Sequence, residues 1–225
     1  MVPRILIDTA KVPGGEGELR LMKRGADFLI SLWGNELMNR RLSGSEKALA
    51  TIACDRLRGR PKIRMLIGGL GMGFTLRAAL AELPKDAEIT VVELVPKVID
   101  WARGPMDELF GDCLDDPRVT ILERDVGEVI DETRGQWDAI LMDVDNGPDG
   151  VVREANNRLY GRNGVDMARR ALTPNGVLAY WSAASDPAFA RRLSSNKGWH
   201  TDEIVSRANG AKGARHVIWV TTRVE

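Results

Sequence analysis

Met65-Leu66-Ile67-Gly68-Gly69-Leu70-Gly71-Met72-Gly73-Phe74 is the stretch whose reading decides the fold. An apolar run enters it, a helix-like run leaves it, and four glycines fall within six residues. Such a turn at the end of a buried strand lets a ligand approach the backbone closely. It also aims the free N–H groups of the next helix at that ligand. The dinucleotide fingerprint needs glycines at n, n+2 and n+5. From Gly69 the last of these falls on Phe74, and from Gly71 on Leu76, so that fingerprint fails. What stands here is Gly69-x-Gly71-x-Gly73, the shorter spacing of S-adenosylmethionine sites.

Outward from this turn the chain alternates. The pattern predicts strands over 63–67, 88–93, 118–122, 137–142 and 177–181. Helices fall between them over 74–83, 96–103, 106–114, 126–132, 160–172 and 187–195, with Thr173-Pro174-Asn175-Gly176 as a turn. The last two strands, 200–207 and 215–222, are joined closely through 209–213 and form an antiparallel hairpin. Ahead of this, residues 1–42 show short alternating runs, with hairpin turns at Arg24-Gly25-Ala26 and Gly34-Asn35. A helix follows to about Leu57, with Ser43 or Ser45 as its cap and Ala48, Leu49, Ile52 and Ala53 on its apolar face. The expected architecture is α/β. A Rossmann-like seven-stranded sheet of the class I S-adenosylmethionine-dependent transferase plan fills 43–225, and a small antiparallel sheet fills 1–42.

Composition narrows the function. Lys plus Arg is 32 and Asp plus Glu is 32, so overall charge recruits neither nucleic acid nor a membrane. No run approaches membrane-spanning length, and the N-terminus lacks a signal-peptide plan. Cys54 and Cys113 lack metal or redox spacing and read as reduced thiols of a cytoplasmic protein. With two histidines in the chain, no metal site is expected, and His200 and His216 read as structural.

Three acidic positions fall at strand ends, where open α/β sheets bind ligands. Glu93 ends the second strand and is placed to accept hydrogen bonds from both ribose hydroxyls; its other reading is a solvated carboxylate. Asp125 follows the third strand. It suits an adenine amino group, with Val126 offering its N–H to the ring, and it also suits a helix N-cap. Asp143 leaves the fourth strand in Asp143-Val144-Asp145-Asn146-Gly147-Pro148-Asp149. A carboxylate there can bind an ammonium and take its proton so that nitrogen can attack. Asp145 and Asp149 suit a solvated turn equally well. Trp181 ends the fifth strand and is placed to wall a substrate pocket.

With these residues in hand, the chain resembles the spermidine synthase (polyamine aminopropyltransferase) family, in its short bacterial spermidine synthase-like branch. The likeness runs through Ser45-Glu46-Lys47-Ala48-Leu49, Leu66-Ile67-Gly68-Gly69, Val92-Glu93-Leu94 and Asp115-Asp116-Pro117-Arg118-Val119. It continues in Arg124-Asp125-Val126, Trp137 to Asp143, Leu159-Tyr160 and Leu172 to Leu178. The resemblance implies an aminopropyl transfer of polyamine biosynthesis, from decarboxylated S-adenosylmethionine to a small-molecule amine, without a metal. It implies that Gly69, Gly71, Gly73, Glu93, Leu94, Asp125, Val126 and Asp143 hold the donor and that Asp143 deprotonates the amine. It implies that Glu46, Asp145, Asn146, Tyr160 and Trp181 contact the acceptor. It further implies a homodimer with the N-terminal sheet in the interface.

The sequence also departs from the family. The glycine loop lacks the acid that binds the aminopropyl amine, Asn146 replaces a second Asp, and Gly44-Ser45 replaces Tyr-His before Glu46. These departures keep open ordinary S-adenosylmethionine as donor in a methyltransferase, and a catalytically silent nucleoside-binding homologue.

Overall fold

The computed structural model describes residues 2–15, 17–40, 43–144, 147, 157–195, 197–209 and 212–223. Asp145, Asn146 and Asp149 lie outside the described residues. Two sheets organise the rest.

The first is a four-stranded antiparallel meander of β1 (Ile5–Lys11), β2 (Glu18–Arg24), β3 (Asp27–Leu32) and β4 (Asn35–Asn39). Gly25 and Gly34 take positive φ (61° and 81°) at its two tight turns, as hairpins of this length require.

The second sheet has seven strands in the order β10-β11-β9-β8-β5-β6-β7. They are β5 (Arg64–Gly68), β6 (Glu88–Glu93), β7 (Val119–Glu123), β8 (Trp137–Met142), β9 (Leu172–Ser182), β10 (Trp199–Asn209) and β11 (Lys212–Arg223). Strands β5 to β9 pair in parallel, and β11 pairs antiparallel with both β9 and β10. Strand order reverses between β5 and β8, so the crevice at their carboxyl ends is the place where such sheets bind ligands. Gly68 ends β5 and Asp143 follows β8, which brings the glycine turn and the acidic strand end together.

The helices are α1 (Gly44–Arg56), α2 (Phe74–Glu82), α3 (Pro96–Arg103), α4 (Asp107–Phe110), α5 (Val126–Glu132), α6 (Asn157–Tyr160), α7 (Arg162–Ala171) and α8 (Pro187–Ser194). A 3-10 turn spans Gly111–Leu114. Pro96 and Pro187 open their helices from the first turn, where a missing N–H costs nothing. Asp186 caps α8 by accepting from the amides of Ala188 and Phe189.

One face of the large sheet shares a continuous apolar core with the small sheet. Leu21, Ile30 and Leu32 join Leu49, Met65, Ile67, Leu70 and Met72 there. Trp101 in α3 also donates its indole N–H to Asp8 in β1 at 2.9 Å. The small sheet is therefore packed onto the crevice, and Leu37 and Met38 of β4 reach it. The opposite face carries a separate core built around Tyr160, Tyr180, Phe189 and Trp219.

Three expectations about local structure need correction, and one is refined. Neither Ser43 nor Ser45 caps α1: Ser43 holds the N-cap position without a side-chain bond, and Ser45 lies inside the helix. The fully buried face of α1 is Ser45, Leu49, Ala50, Ala53 and Cys54; of the predicted face, Leu49 and Ala53 lie in it, and Ala48 and Ile52 are partly buried against the same core. The helix expected over 160–172 is two pieces, since Gly161 is extended (φ −68°, ψ 164°) between α6 and α7. Finally, Thr173 to Gly176 belong to β9. They form an irregularity: Trp137 pairs with Leu172 but Ala139 pairs with Val177, and Asn175 absorbs the excess with φ 58°.

Candidate active site

A cavity of about 140 Å³ opens at the switch point. Its floor is the glycine turn, with Gly69, Leu70, Gly71, Met72 and Phe74 in its lining. Gly69 has φ 93°, and a Cβ on it would stand 2.2 Å from the Asp143 carbonyl oxygen. Only glycine lets β5 turn this close to β8. Gly71 (φ 49°) lines the cavity, where a Cβ would meet Met38 Sδ at 3.1 Å. Gly73 differs from the expectation. It is the N-cap of α2, its open side is filled by the Phe110 ring, and it is not among the cavity's lining residues.

Glu93 forms one wall. The Leu70 amide donates to its Oε2 and the Val95 amide to its Oε1, both at 2.9 Å. Burial pushes the carboxyl's pKa up, while amide bonds from Val95, Leu70, Gly71 and Leu94 pull it down. Glu93 thus lines the cavity as a carboxylate held in place by backbone amides. Leu94 and Val95 continue this wall.

Asp125 and Val126 stand beside it. Asp125 caps α5, accepting from the Gly127 amide at 2.8 Å, and the Arg158 guanidinium of α6 lies 2.7 Å from the same Oδ1. The cap and the cavity position expected from sequence thus coexist in one side chain.

Asp143, Glu46 and Trp181 also line the cavity. Thr75, in the first turn of α2, donates to Asp143 Oδ2 at 2.6 Å. Burial raises the Asp143 pKa to about 7; the Glu46 charge adds to the rise, and the Thr75 hydrogen bond opposes it. Glu46 is itself raised, chiefly by burial. Two poorly hydrated carboxylates, close enough for the Glu46 charge to act on Asp143, thus line the same cavity. That arrangement favours an ammonium ligand and suits one carboxylate to proton transfer near neutral pH.

The remaining walls are apolar. Val12, Leu19, Ile30, Leu37 and Met38 come from the small sheet side.

Tyr160 does not belong to this site. It is 2% exposed and packs against Tyr180 and Phe189 with ring centroids 5.5 and 5.3 Å apart, in the opposite core. Its place beside Leu159 in a matching segment fixed the segment, but the helix ends at Tyr160 and its ring packs into the opposite core.

Sequence reasoning did not foresee the contacts of Thr75 with Asp143, Ser45 with His216, or Arg158 with Asp125. Thr75 was findable, since it stands one residue into the helix that the glycine turn opens. The others come together only through tertiary packing. Among the described residues no cluster of His, Cys, Asp and Glu is arranged to hold a metal ion, and no helix is long and apolar enough to cross a membrane.

A parallel sheet closed by an antiparallel hairpin, with a glycine turn at its switch point and carboxylates at the ends of β6, β7 and β8, defines a class I S-adenosylmethionine-dependent transferase-like fold. Residues 48–204 match the spermine/spermidine synthase domain model, and the chain belongs to that family. It is 33% identical over 132 residues to polyamine aminopropyltransferase 1 of Streptomyces coelicolor, across 58% of this chain and 24% of that protein. It is 28% identical over 130 residues to the polyamine aminopropyltransferase of Sulfolobus acidocaldarius, across 58% of this chain and 41% of that one. The matched stretch therefore spans less than half the length of either relative. Among solved structures, the spermidine synthase of Thermotoga maritima superposes with a TM-score of 0.75 at 18% identity, covering 98% of this chain and 74% of that one. A spermidine synthase bound to the transition-state analogue AdoDATO gives 0.74 at 19% identity, covering 96% and 72%. These structures carry the fold.

Proposed function

We propose that this protein transfers an aminopropyl group from decarboxylated S-adenosylmethionine to a small-molecule amine. The single observation that carries this is the pairing of Glu46 and Asp143 in a cavity that Glu93 and Asp125 also line. The polyamine aminopropyltransferases among its relatives support the same reading.

In this reading Glu93 accepts from the ribose hydroxyls, Asp125 accepts from the adenine amino group, and Leu94, Val126, Gly69 and Gly71 shape the nucleoside wall. Asp143 binds the acceptor ammonium and removes one proton. The freed nitrogen lone pair attacks the propyl carbon, the carbon–sulfur bond breaks with its electrons going to sulfur, and a neutral thioether leaves. Asp143 ends protonated. Glu46 steadies the positive charge, and the apolar residues of β2, β3 and β4 exclude water from the sulfonium carbon. Trp181 walls the acceptor end. Asp145 and Asn146 complete the acceptor contacts in this reading. No metal takes part in it.

The donor is testable by itself. Calorimetric titration is expected to show tighter binding of the decarboxylated donor than of S-adenosylmethionine, because a carboxylate brought beside Asp143 and Glu46 meets like charge. Tighter binding of the carboxylated form would contradict the proposal.

We also propose that residues 1–42 and 43–225 are its two structural parts, and that it works as a cytoplasmic homodimer. The unpaired Cys54 and Cys113 support the compartment. The exposed Ile5, Leu6 and Ile7 on edge strand β1 (59%, 50% and 40%) support pairing through the small sheet.

A further inference from the structure

His216 lies in β11, 171 residues along the chain from Ser45, yet its Nδ1 is 2.7 Å from the Ser45 hydroxyl oxygen. Ser45 is fully buried. The same hydroxyl donates to Glu46 Oε2 at 2.7 Å. A serine hydroxyl has one hydrogen, and an ionised carboxylate can only accept. Ser45 therefore gives its hydrogen to Glu46, and the imidazole must be the donor in the other contact. With Glu46 ionised, these contacts assign His216 the Nδ1–H tautomer. Its ring meets the Trp181 ring edge to face, with centroids 4.8 Å apart at 72°. Trp181 and Glu46 both line the cavity.

Glu46 needs such a tether. It faces Asp143 with like charge in a poorly hydrated place. A free glutamate with three rotatable side-chain bonds lowers its energy by swinging toward water. The hairpin that carries His216 is itself pinned to α1, because Arg56 at the other end of that helix bonds to Asp202 of β10.

We propose that His216 is a positioning residue for the amine acceptor: through Ser45 it holds the Glu46 carboxylate in the cavity with Asp143, so that one ammonium is received between the two acids. This rests on the amine-binding reading of those two acids. The hydrogen bonds run His216 Nδ1–H to Ser45 Oγ, then Ser45 O–H to Glu46 Oε2. The acceptor's nitrogen is thereby aligned before it loses its proton to Asp143.

Three variants test it with decarboxylated S-adenosylmethionine and saturable concentrations of an alkylamine. His216→Phe keeps a ring against Trp181 and removes the donor. It is expected to raise the KM for amine about tenfold, the size of one hydrogen bond, with kcat and donor affinity within about threefold of the unmodified protein. Ser45→Ala should do the same. His216→Asn, whose amide can donate from the Nδ1 position, should bring KM back to within about threefold. An unchanged KM in His216→Phe, or an equal loss in kcat and donor affinity, overturns the proposal.

A second readout needs no turnover. The chain has two histidines, so ring nitrogen-15 spectra separate them readily. The His216 ring is expected as Nδ1–H in the unmodified protein and altered in Ser45→Ala. An Nε2–H ring indifferent to Ser45→Ala overturns the tether. Absence of transfer to any amine by the unmodified protein would instead overturn the functional reading, and the spectra would still decide the tether.

Discussion

Thr75 Oγ1 donates a 2.6 Å hydrogen bond to Asp143 Oδ2, joining the first turn of α2 to the end of β8. It is the one contact that draws the Asp143 pKa down while burial and Glu46 hold it up at about 7. The account therefore predicts that the rate rises with pH along a limb centred near 7. Removing the hydroxyl in Thr75→Val raises the carboxyl further. The limb should move to higher pH by about one pH unit, with activity lost at neutrality and regained in alkali. A pH–rate profile that does not move in this variant would show that Thr75 leaves the base untouched.

Stability should carry the same signature. Asp143 has a folded-state pKa of about 7 against 3.8 for the ordinary group. The folded protein thus binds a proton more tightly than the unfolded chain. Its contribution is fully present below the unfolded value and is lost as pH rises through the folded one. Asp143→Asn removes this penalty. Between pH 5 and 8 the unmodified protein should lose about 2 kcal/mol relative to the variant, read by urea unfolding at both pH values. A constant difference between the two proteins across that range would contradict a buried, raised Asp143.

Gly69→Ala probes the meeting of the two strands. Its Cβ would stand 2.2 Å from the Asp143 carbonyl oxygen, on a residue with φ 93°. Both the close approach and the backbone angle oppose a side chain. The substitution should cost about 3 kcal/mol in denaturant unfolding and displace Asp143 enough to abolish detectable activity. Unfolding at the normal midpoint would mean that the turn can relax away from β8.

Asp125 caps α5 and, in the proposed reading, also holds the adenine, and substitution can separate the two. Its Oδ1 caps α5 through the Gly127 amide at 2.8 Å. Asp125→Ala should cost about 1 kcal/mol of stability, whereas Asp125→Ser keeps most of the cap. Both should weaken nucleoside binding about tenfold in calorimetry, since neither reaches the adenine position. Normal nucleoside affinity in Asp125→Ser would confine this residue to its helix.

The parts of this molecule that were legible in the sequence are those with hard punctuation. Glu88–Glu93, Pro96–Arg103, Val126–Glu132 and Trp137–Met142 begin and end where predicted. Proline, aspartate and glycine mark several of their ends, and their apolar runs have one period each. The acidic strand ends were legible for the same reason: sequence order puts them at the carboxyl edge of a parallel sheet. Thr173 to Gly176 misled because Pro-Asn-Gly favours a turn, and the strand absorbs it as a bulge without ending. Tyr160 misled because a matching segment says nothing of which sheet face its ring will take. His216 was invisible as a partner of Ser45, since their contact exists only once β11 lies across α1.

The most direct test of the central claim is the reaction itself. The protein is incubated with decarboxylated S-adenosylmethionine and a panel of mono- and diamines, and products are read by mass spectrometry. The account predicts equal amounts of nucleoside thioether and aminopropylated amine, with the rate falling about 10²-fold or more in Asp143→Asn. Absence of thioether with every amine, or an Asp143→Asn variant as fast as the unmodified protein, would contradict it.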